Sequence, residues 1–336
     1  MTSNLLKGLA LALCATVFAG PASAQIEDRN IRVSNGVNEE HPVGNGVKAM
    51  TACVDEKSGG KMKITAFWGG ALGGDLEATQ ALRSGTQEMV VTSTSPLVGI
   101  APELGVFDLP FLIANEQEAD ALLDGEFGQY ISEKMPNYGL VNLAFWENGF
   151  RNLTNSKRPV AKWEDLNGMK VRVMQNNVFL DAFQNMGANA VPMAFGEVFS
   201  ALETGTIDAQ ENPFVTIDTS KMYEVQDYLS VTRHAYTPFM VLFSKPIFDT
   251  YSAEEQGILR DCAAVGRDEQ RKVSRELSGQ SLAKLKEAGM EVNELSPEEQ
   301  TRMREKAQPI YEKHASTIGQ ETIAKVQDAL KTIRGQ

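Results

Sequence analysis

The sequence has few residues of the kinds that usually perform catalysis or bind metals. Its 336 residues include 3 histidines and 3 cysteines, and no two histidines have a metal-binding spacing such as H-E-x-x-H. A G-x-S-x-G nucleophile motif, a C-x-x-C pair and a G-x-x-x-x-G-K-[ST] phosphate loop are also absent. These absences argue against a hydrolase, a metalloenzyme or a nucleotide-dependent enzyme, and they predict neither a metal ion nor a cofactor.

Long apolar runs are scarce too. After the N-terminus no stretch approaches the ~18 consecutive apolar residues that can cross a bilayer, so we expect no stable membrane insertion. The N-terminus has a basic start ending at Lys7, an apolar run over 8–19 and small residues at 22–24. This order predicts a cleavable signal peptide over residues 1–24 and hence a periplasmic protein.

An excess of positive charge is missing as well, because the net charge is −12. Such a chain repels nucleic acid and anionic membrane surfaces, which we therefore do not expect as partners. A local arginine can still bind an anion, since charges are screened over about 8 Å.

Two cysteines, Cys53 and Cys262, remain if the signal peptide is removed. In an oxidising compartment they either form one disulfide or stay as two buried thiols.

A strand–helix–glycine–strand pattern occurs twice. Gly85 and Gly205 stand where each helix should end. The predicted strands are 61–65 and 88–92 in the first copy and 168–173 and 207–210 in the second. Such units form right-handed crossovers in parallel sheets. The pattern therefore predicts an α/β chain with two similar lobes of about 150 residues.

Polar residues follow the last strand of each copy, at 92–96 and 211–213. Ligands of open α/β sheets bind beyond the carboxyl ends of the strands, so we expect a polar cleft there. The glycine-rich run at 69–74 lacks the lysine of a phosphate loop and is interpreted as a loop capped by Asp75.

The last third of the chain is predicted to be mostly helical. A capping box at Ser252 and Glu255 opens a helix that runs to about Ala288. A short strand at 290–293 follows, and Ser296 then caps another helix.

Two arginines are candidate anion ligands. Arg172 lies on the polar face of a predicted strand, where its planar fork could grip a carboxylate. Arg151 is a second cation in a polar segment. On the residues alone, a salt bridge within the protein is the competing interpretation for either of them.

Four strings resemble the DctP-type periplasmic receptors of tripartite ATP-independent periplasmic (TRAP) transporters. They are FDLPF at 107–111, GFRNLTN at 149–155, DLNGMKVRV at 165–173 and GTIDAQENP at 205–213. The resemblance covers essentially the whole mature chain, in order. One departure is Ala209, where the family usually has glycine.

The resemblance implies roles for individual residues by matching motif positions. Arg172 matches the arginine that clamps the ligand carboxylate, Arg151 a supporting arginine, and Asn212 an asparagine contributed by the second lobe. The other implied ligand contacts, of which the last two rest on loop position alone, are Asp75, Phe195, Gln175 and Ser93.

The resemblance also implies the architecture. It is a two-lobed periplasmic binding protein fold with mixed, mainly parallel sheets, crossing strands and a long helix spanning both lobes. Lobe one would comprise residues 25–148 and about 238–277, and lobe two residues 149–237 and about 278–336. Closure of the lobes around a small organic acid anion would let the monomeric receptor dock on the transporter's membrane subunits.

Many polar side chains around two arginines predict a ligand with several hydroxyl or keto groups. The strings GFRNLTNSKRP at 149–159 and ENPF at 211–214 also resemble receptors for sugar acids such as diketogulonate or uronates. We therefore expect a hydroxylated monocarboxylate of about six carbons, a sugar acid. A C4-dicarboxylate, a short hydroxy acid or an aromatic acid are the alternatives within the receptor class. An exported enzyme acting on a hydroxy acid is the alternative outside it.

Overall fold

The computed structural model describes residues 26–335, and the predicted signal peptide lies outside them. Within this range nine strands join one continuous sheet. In chain order they are β1 (Arg29–Asn35), β2 (Met62–Phe67), β3 (Met89–Ser93), β4 (Leu140–Asn155), β5 (Lys170–Val173), β6 (Asn189–Pro192), β7 (Ala209–Asn212), β8 (Tyr228–Ser244) and β9 (Glu291–Glu294).

Helices cover both faces of this sheet. They are α1 (Pro42–Ser58), α2 (Asp75–Ser84), α3 (Glu116–Asp124), α4 (Glu126–Lys134), α5 (Asn177–Asn185), α6 (Val198–Glu203), α7 (Phe214–Thr219), α8 (Lys245–Phe248), α9 (Ala253–Glu287), α10 (Pro297–Ile318) and α11 (Gln320–Arg334). None of the helices described is both long and apolar enough to cross a bilayer.

The strand order β2-β1-β3-β8-β4-β7-β5-β6 places a parallel trio at each end of the sheet. Between the trios the long strands β8 and β4 run antiparallel to each other and to their outer neighbours. The predicted mixed α/β fold with crossing strands is therefore confirmed. The lobes share one sheet, however, because the two crossing strands pair with each other along most of their length.

Alternating side chains of the central strands supply two separate cores in lobe one. Val90 and Leu242 point into one apolar cluster, while Val91 and Val241 point into another on the opposite face. Two further clusters lie around β5 and around α6 in lobe two. Both faces of each lobe are thus buried, as expected where helices cover a sheet on both sides.

The two copies of the pattern are present, but they begin at different strands of their lobes, which the sequence did not reveal. The strand predicted at 61–65 is β2, the second strand of its lobe, whereas that at 168–173 is β5, the first strand of the other. Each lobe holds a β-α-β-α-β unit whose first strand lies between the other two. The second copy of the pattern therefore also contains α5 and the four-residue strand β6, which the sequence pattern did not indicate.

The crossing strands lose their regular pairing where the two lobes meet. The register of β4 against β8 shifts at three places: between Asn142 and Ala144, between Glu147 and Gly149, and between Arg151 and Leu153. The middle shift lies opposite Pro238 and Thr237 of β8. Gly149 has φ 117°, a conformation that side-chain-bearing residues rarely adopt. The lobe boundaries expected at 148/149 and 237/238 coincide with this irregularity, and we propose it as the hinge.

Helix α9 spans both lobes. At roughly 1.5 Å per residue it is about 52 Å long. Its predicted capping box is present, since Ser252 and Glu255 each accept from the other's backbone N–H. Cys262 forms a disulfide with Cys53 of α1, with the Cα atoms 5.5 Å apart. Farther along, Ser281 donates to Asp218 of α7 in lobe two, at 2.7 Å.

The last helix departs from the expected division of the chain. The sequence predicts residues from about 278 to 336 in lobe two, whereas α11 packs against α3 and α4 of lobe one. Arg334 pairs with Glu118 at 2.8 Å, and Tyr130 shares a hydrogen bond with Thr322 at 3.0 Å. The apolar residues of α11 join the lobe-one core because α10 carries the chain back across the junction.

Removing the disulfide should destabilise the protein without changing its fold. The bond closes a loop between residues 209 positions apart. Such a cross-link restricts the unfolded chain, and its removal lowers the free energy of unfolding by about 2–5 kcal/mol. The double variant Cys53→Ala/Cys262→Ala should therefore unfold at lower urea concentration. Dithiothreitol should lower the midpoint of the wild type and leave the variant unaffected. Equal midpoints for the two proteins would contradict this expectation.

Candidate ligand-binding site

A cavity lies where the two lobes meet, with about 400 Å³ of empty space when the part open to solvent is included. Ser93 at the end of β3 and Asn212 at the end of β7 face it from opposite lobes. Arg172 of β5 and Arg151 of β4 also line it. The carboxyl ends of strands from both lobes therefore form one polar site, as the sequence predicted.

The structure brings six of the seven predicted residues to this cavity: Arg172, Arg151, Asn212, Asp75, Phe195 and Ser93. Gln175 is not among them, because its side chain is exposed and its neighbour Met174 faces the cavity instead. The next residue, Asn176, is engaged as the N-cap of α5, accepting from Phe179 N at 2.8 Å.

Arg151 forms a salt bridge within the protein, the interpretation that the sequence alone left open beside ligand binding. It lies within β4, fully buried, and its guanidinium forms an ion pair with the equally buried Glu211 of β7. Nη2 donates to Glu211 Oε1 at 2.9 Å and to Asn212 Oδ1 at 3.1 Å, and Nη1 donates to Thr237 at 3.3 Å. Arg151 therefore orients Asn212, while its own charge is neutralised inside the protein.

A histidine completes this buried network. His234 Nε2 donates to Glu211 at 3.1 Å, and His234 Nδ1 is 2.8 Å from the hydroxyl of Thr232. Burial alone would raise the pKa of Glu211, but the charge of Arg151 and the hydrogen bonds from His234 and Arg151 lower it to about 2. Glu211 is thus ionised at neutral pH and balances Arg151.

Arg172 is the cation left available for a ligand. Its Nε and Nη2 both donate to the carbonyl of Met193, at 3.0 and 2.8 Å. Its Nη1 is buried and has no hydrogen-bond partner among the described residues. Burial lowers the pKa of Arg172 to about 10, so the guanidinium remains charged at neutral pH. A ligand carboxylate would satisfy both the charge and the unpaired nitrogen.

Asp75 provides the opposite charge in the cavity. The structure corrects its predicted capping role: Gly74 is the N-cap of α2, and Asp75 is the first helical residue. Burial raises the pKa of Asp75, while a hydrogen bond from Thr92 and the charge of Arg172 oppose that rise. Its carboxylate lies 3.3 Å from where a Cβ on Gly36 would stand, so glycine leaves space beside it.

Two more lining residues carry buried polar atoms without a partner in the described chain, Ser93 Oγ and Asn148 Oδ1. Asn148 was not predicted, although it directly precedes the Gly149-Phe150-Arg151 motif. Other lining residues that the sequence did not indicate are Asn35, Gly36, Val37, Met174, Thr216 and Phe239. A residue pattern alone does not tell which neighbours of a motif face a cavity.

Phe195 connects the two lobes across the cavity. Its ring packs against apolar clusters of both lobes, and the ring centroid is 6.0 Å from the Arg172 guanidinium carbon. Asn176 Nδ2 also reaches across, donating to the carbonyl of Ser95 at 3.3 Å. The lobes are therefore in direct contact around the site.

A buried carboxyl group lies behind the cavity, in the FDLPF segment. Ser95 donates to Asp108 Oδ1, while Oδ2 has no partner in the described part of the chain. Burial raises the pKa of Asp108 to about 8, with the Ser95 hydrogen bond and Arg151 opposing and Glu211 adding to the rise. Asp108 is therefore mostly protonated at neutral pH.

Comparison with known proteins is consistent with this geometry. The family "Bacterial extracellular solute-binding protein, family 7" (DctP) matches residues 33–317. The chain belongs to this family. DctP proteins are receptors of TRAP transporters that bind small organic acids and work with membrane subunits. They are not enzymes, so the alternative of an exported hydroxy-acid enzyme is excluded.

Solved structures and curated relatives show the range of ligands in the family. The sugar acid binding protein DctPAm of Advenella mimigardefordensis strain DPN7T, in complex with galactonate, is 46% identical with a TM-score of 0.90, covering 92% of this chain and 99% of its own. The 2,3-diketo-L-gulonate-binding periplasmic protein YiaO of Escherichia coli strain K12 is 33% identical over 85% of this chain and 88% of its own. A TRAP receptor from Sulfurospirillum deleyianum with bound succinate is 30% identical with a TM-score of 0.85, covering 90% and 99%.

The burial of Asp108 should make stability depend on pH. The pKa of Asp108 is raised in the folded protein and is near 4 in the unfolded chain. The free energy of unfolding therefore falls as pH rises from about 4 to 8. Asp108→Asn removes this loss. Its stability relative to wild type should therefore increase by roughly 3–4 kcal/mol between pH 5 and pH 8. Urea unfolding at both pH values measures the difference, and a pH-independent difference would contradict the role of burial.

Proposed function

We propose that this protein captures a hydroxylated monocarboxylate, a sugar acid of about six carbons, and delivers it to the membrane subunits of a TRAP transporter. The observation that carries the ligand class is the charge balance of the cavity. Arg151 is neutralised by Glu211, which leaves Arg172 and Asp75 as the charged lining residues that form no ion pair within 26–335, although the charge of Arg172 acts on Asp75.

This balance favours a ligand with one negative charge. The ligand carboxylate would pair with Arg172, whose unpaired Nη1 completes a fork with charge-assisted hydrogen bonds. A second carboxylate would enter a closed site that also holds the carboxylate of Asp75. Like charges in a desolvated site repel each other by several kcal/mol.

The remaining polar groups favour hydroxyl or keto groups on the ligand. Ser93, Asn148 and Asn212 surround the cavity together with Asp75, and Ser93 and Asn148 have buried atoms without partners among the described residues. Leaving such atoms unsatisfied in a closed complex costs about 1–3 kcal/mol each. Relatives that bind galactonate and 2,3-diketo-L-gulonate support this ligand class.

Binding would close the two lobes about the hinge at Gly149 and the facing part of β8. Because the cavity is lined from both lobes, a ligand that contacts both favours the closed state by its differential affinity. We place the working protein in the periplasm as a monomer, exported by the signal peptide at residues 1–24. The closed form would then dock on the membrane subunits.

The ligand charge can be tested with two acids of the same carbon skeleton. Galactonate carries one carboxylate, and galactarate carries a second one in place of the terminal hydroxymethyl group. We expect wild type to bind galactonate about 100-fold more tightly by isothermal titration calorimetry. Asp75→Asn should reduce the ratio to about tenfold or less, because the repelling charge is removed. Succinate and orotate complete the panel, and tight binding of either with no response to galactonate would reject the sugar-acid assignment.

Arg172 should dominate the affinity. Arg172→Lys keeps a positive charge but cannot keep the bond to Met193 and also form a planar fork with a carboxylate. We expect galactonate binding to weaken by about 100-fold. Lys170→Gln is the matched control, because Lys170 lies on the same strand with an exposed side chain, and it should bind as wild type does. A lysine variant within threefold of wild type would show that Arg172 does not hold the carboxylate.

A further inference from the structure

The start of α1 and the short helix α7 meet directly beneath the cavity. Asn38 Nδ2 donates to the carbonyl of Thr219 at 2.7 Å, and His41 Nε2 lies 3.2 Å from Thr216 Oγ1. Both His41 and Thr216 are almost fully buried, at 1% and 2% exposed. Thr216 lines the cavity, while His41 stands behind it.

The position of the proton on His41 follows from its other contacts. His41 is the N-cap of α1, and its Nδ1 accepts from the backbone N–H of Val43 at 3.2 Å. Nδ1 therefore carries no proton. Burial lowers the pKa of His41 to about 3, so the ring is neutral at physiological pH. A neutral imidazole has one N–H, which must then be on Nε2 and point at Thr216.

Neighbouring groups hold this ring in place. The His41 ring meets the edge of Phe239 at a centroid distance of 5.9 Å and an angle of 84°, and Phe239 itself lines the cavity. With its cap bond on one side and an aromatic contact on the other, the imidazole has a fixed orientation. Its N–H therefore has a constant direction relative to the cavity.

The hydroxyl of Thr216 receives this hydrogen bond and so has its own proton left to donate. A threonine hydroxyl has one donor and two acceptor positions. Within the described chain, His41 is the hydrogen-bond partner of Thr216 Oγ1. Thr219, one turn on, instead donates its hydroxyl back to Val215 O at 2.8 Å. Among residues 26–335 the Thr216 proton has no such backbone acceptor. The cavity, which Thr216 lines, is where an acceptor for it can be bound.

We propose that His41 is a positioning residue that makes Thr216 a hydrogen-bond donor to the bound acid, selecting ligands with a hydroxyl, keto or ring oxygen at that point. This inference rests on the proposed function for the ligand class. It adds Thr216 to the recognition set and assigns to His41 a role in affinity although His41 does not touch the ligand.

A double-mutant cycle tests whether His41 acts through Thr216. Thr216→Val removes the hydroxyl at constant shape, and Thr216→Ser restores it. His41→Asn keeps an N-cap acceptor for α1 but removes the imidazole N–H. By calorimetry with galactonate we expect Thr216→Val to weaken binding about tenfold, Thr216→Ser to stay within twofold, and His41→Asn to weaken it about threefold to tenfold. The His41→Asn/Thr216→Val double variant should match Thr216→Val alone.

Thr219→Val is the matched control for a structural role, because it removes a hydroxyl of the same helix that donates to Val215 O and does not line the cavity. We expect it to bind galactonate within twofold of wild type. Additive losses for His41 and Thr216, or Thr216→Val binding within twofold of wild type, would overturn the proposal. Should the panel select succinate instead, the cycle is run with succinate. The ligand panel on wild type then shows whether the sugar-acid assignment fails. The double-mutant cycle shows separately whether this inference fails.

Discussion

The buried ion pair between Arg151 and Glu211 is the interaction on which the site depends. It joins β4 to β7, and His234 extends it to β8, so three strands are fixed at the bottom of the cleft. Both charged side chains are inaccessible to solvent. Loss of one partner would leave the other charged and desolvated, at a cost of several kcal/mol. The pair thus constrains the strands and also sets the charge that a ligand encounters.

Because of this ion pair, Arg151 and Arg172 have different roles in the site. From the sequence they look like equivalent candidates for a carboxylate, and the resemblance to known receptors ranks them without explaining the ranking. The difference lies in their partners: Glu211 occupies the fork of Arg151, whereas Arg172 is held at one side by a backbone carbonyl and keeps Nη1 unpaired. Partners 60 residues apart in the chain meet only through the β4–β7 register, which no local pattern reveals.

Local signals predicted local structure well. The capping box at Ser252 identified the start of α9, and the polar residues at 92–96 and 211–213 identified the ends of β3 and β7. Helix capping and strand termination depend on adjacent residues, which a sequence shows directly. The placement of Gln175 at the site depended on more than adjacent residues. A shift of one residue along a turn decides whether a side chain faces the cavity or the solvent, and here Met174 faces the cavity while Gln175 is exposed. The disulfide and the packing of α11 on lobe one depend on tertiary contacts between distant segments. The sequence left the disulfide open and did not indicate the packing of α11 on α3 and α4.

The strand order also has a consequence for how the chain reaches this structure. In lobe one, β3 pairs with β8, whose residues lie about 150 positions later. The disulfide of Cys53 likewise requires Cys262, which is synthesised much later. During synthesis, N-terminal domains usually fold before the rest of the chain emerges. Here the first lobe cannot complete its sheet until the second lobe's strands have been made. Non-local pairing of this kind slows folding, so the chain stays unfolded for longer during its synthesis.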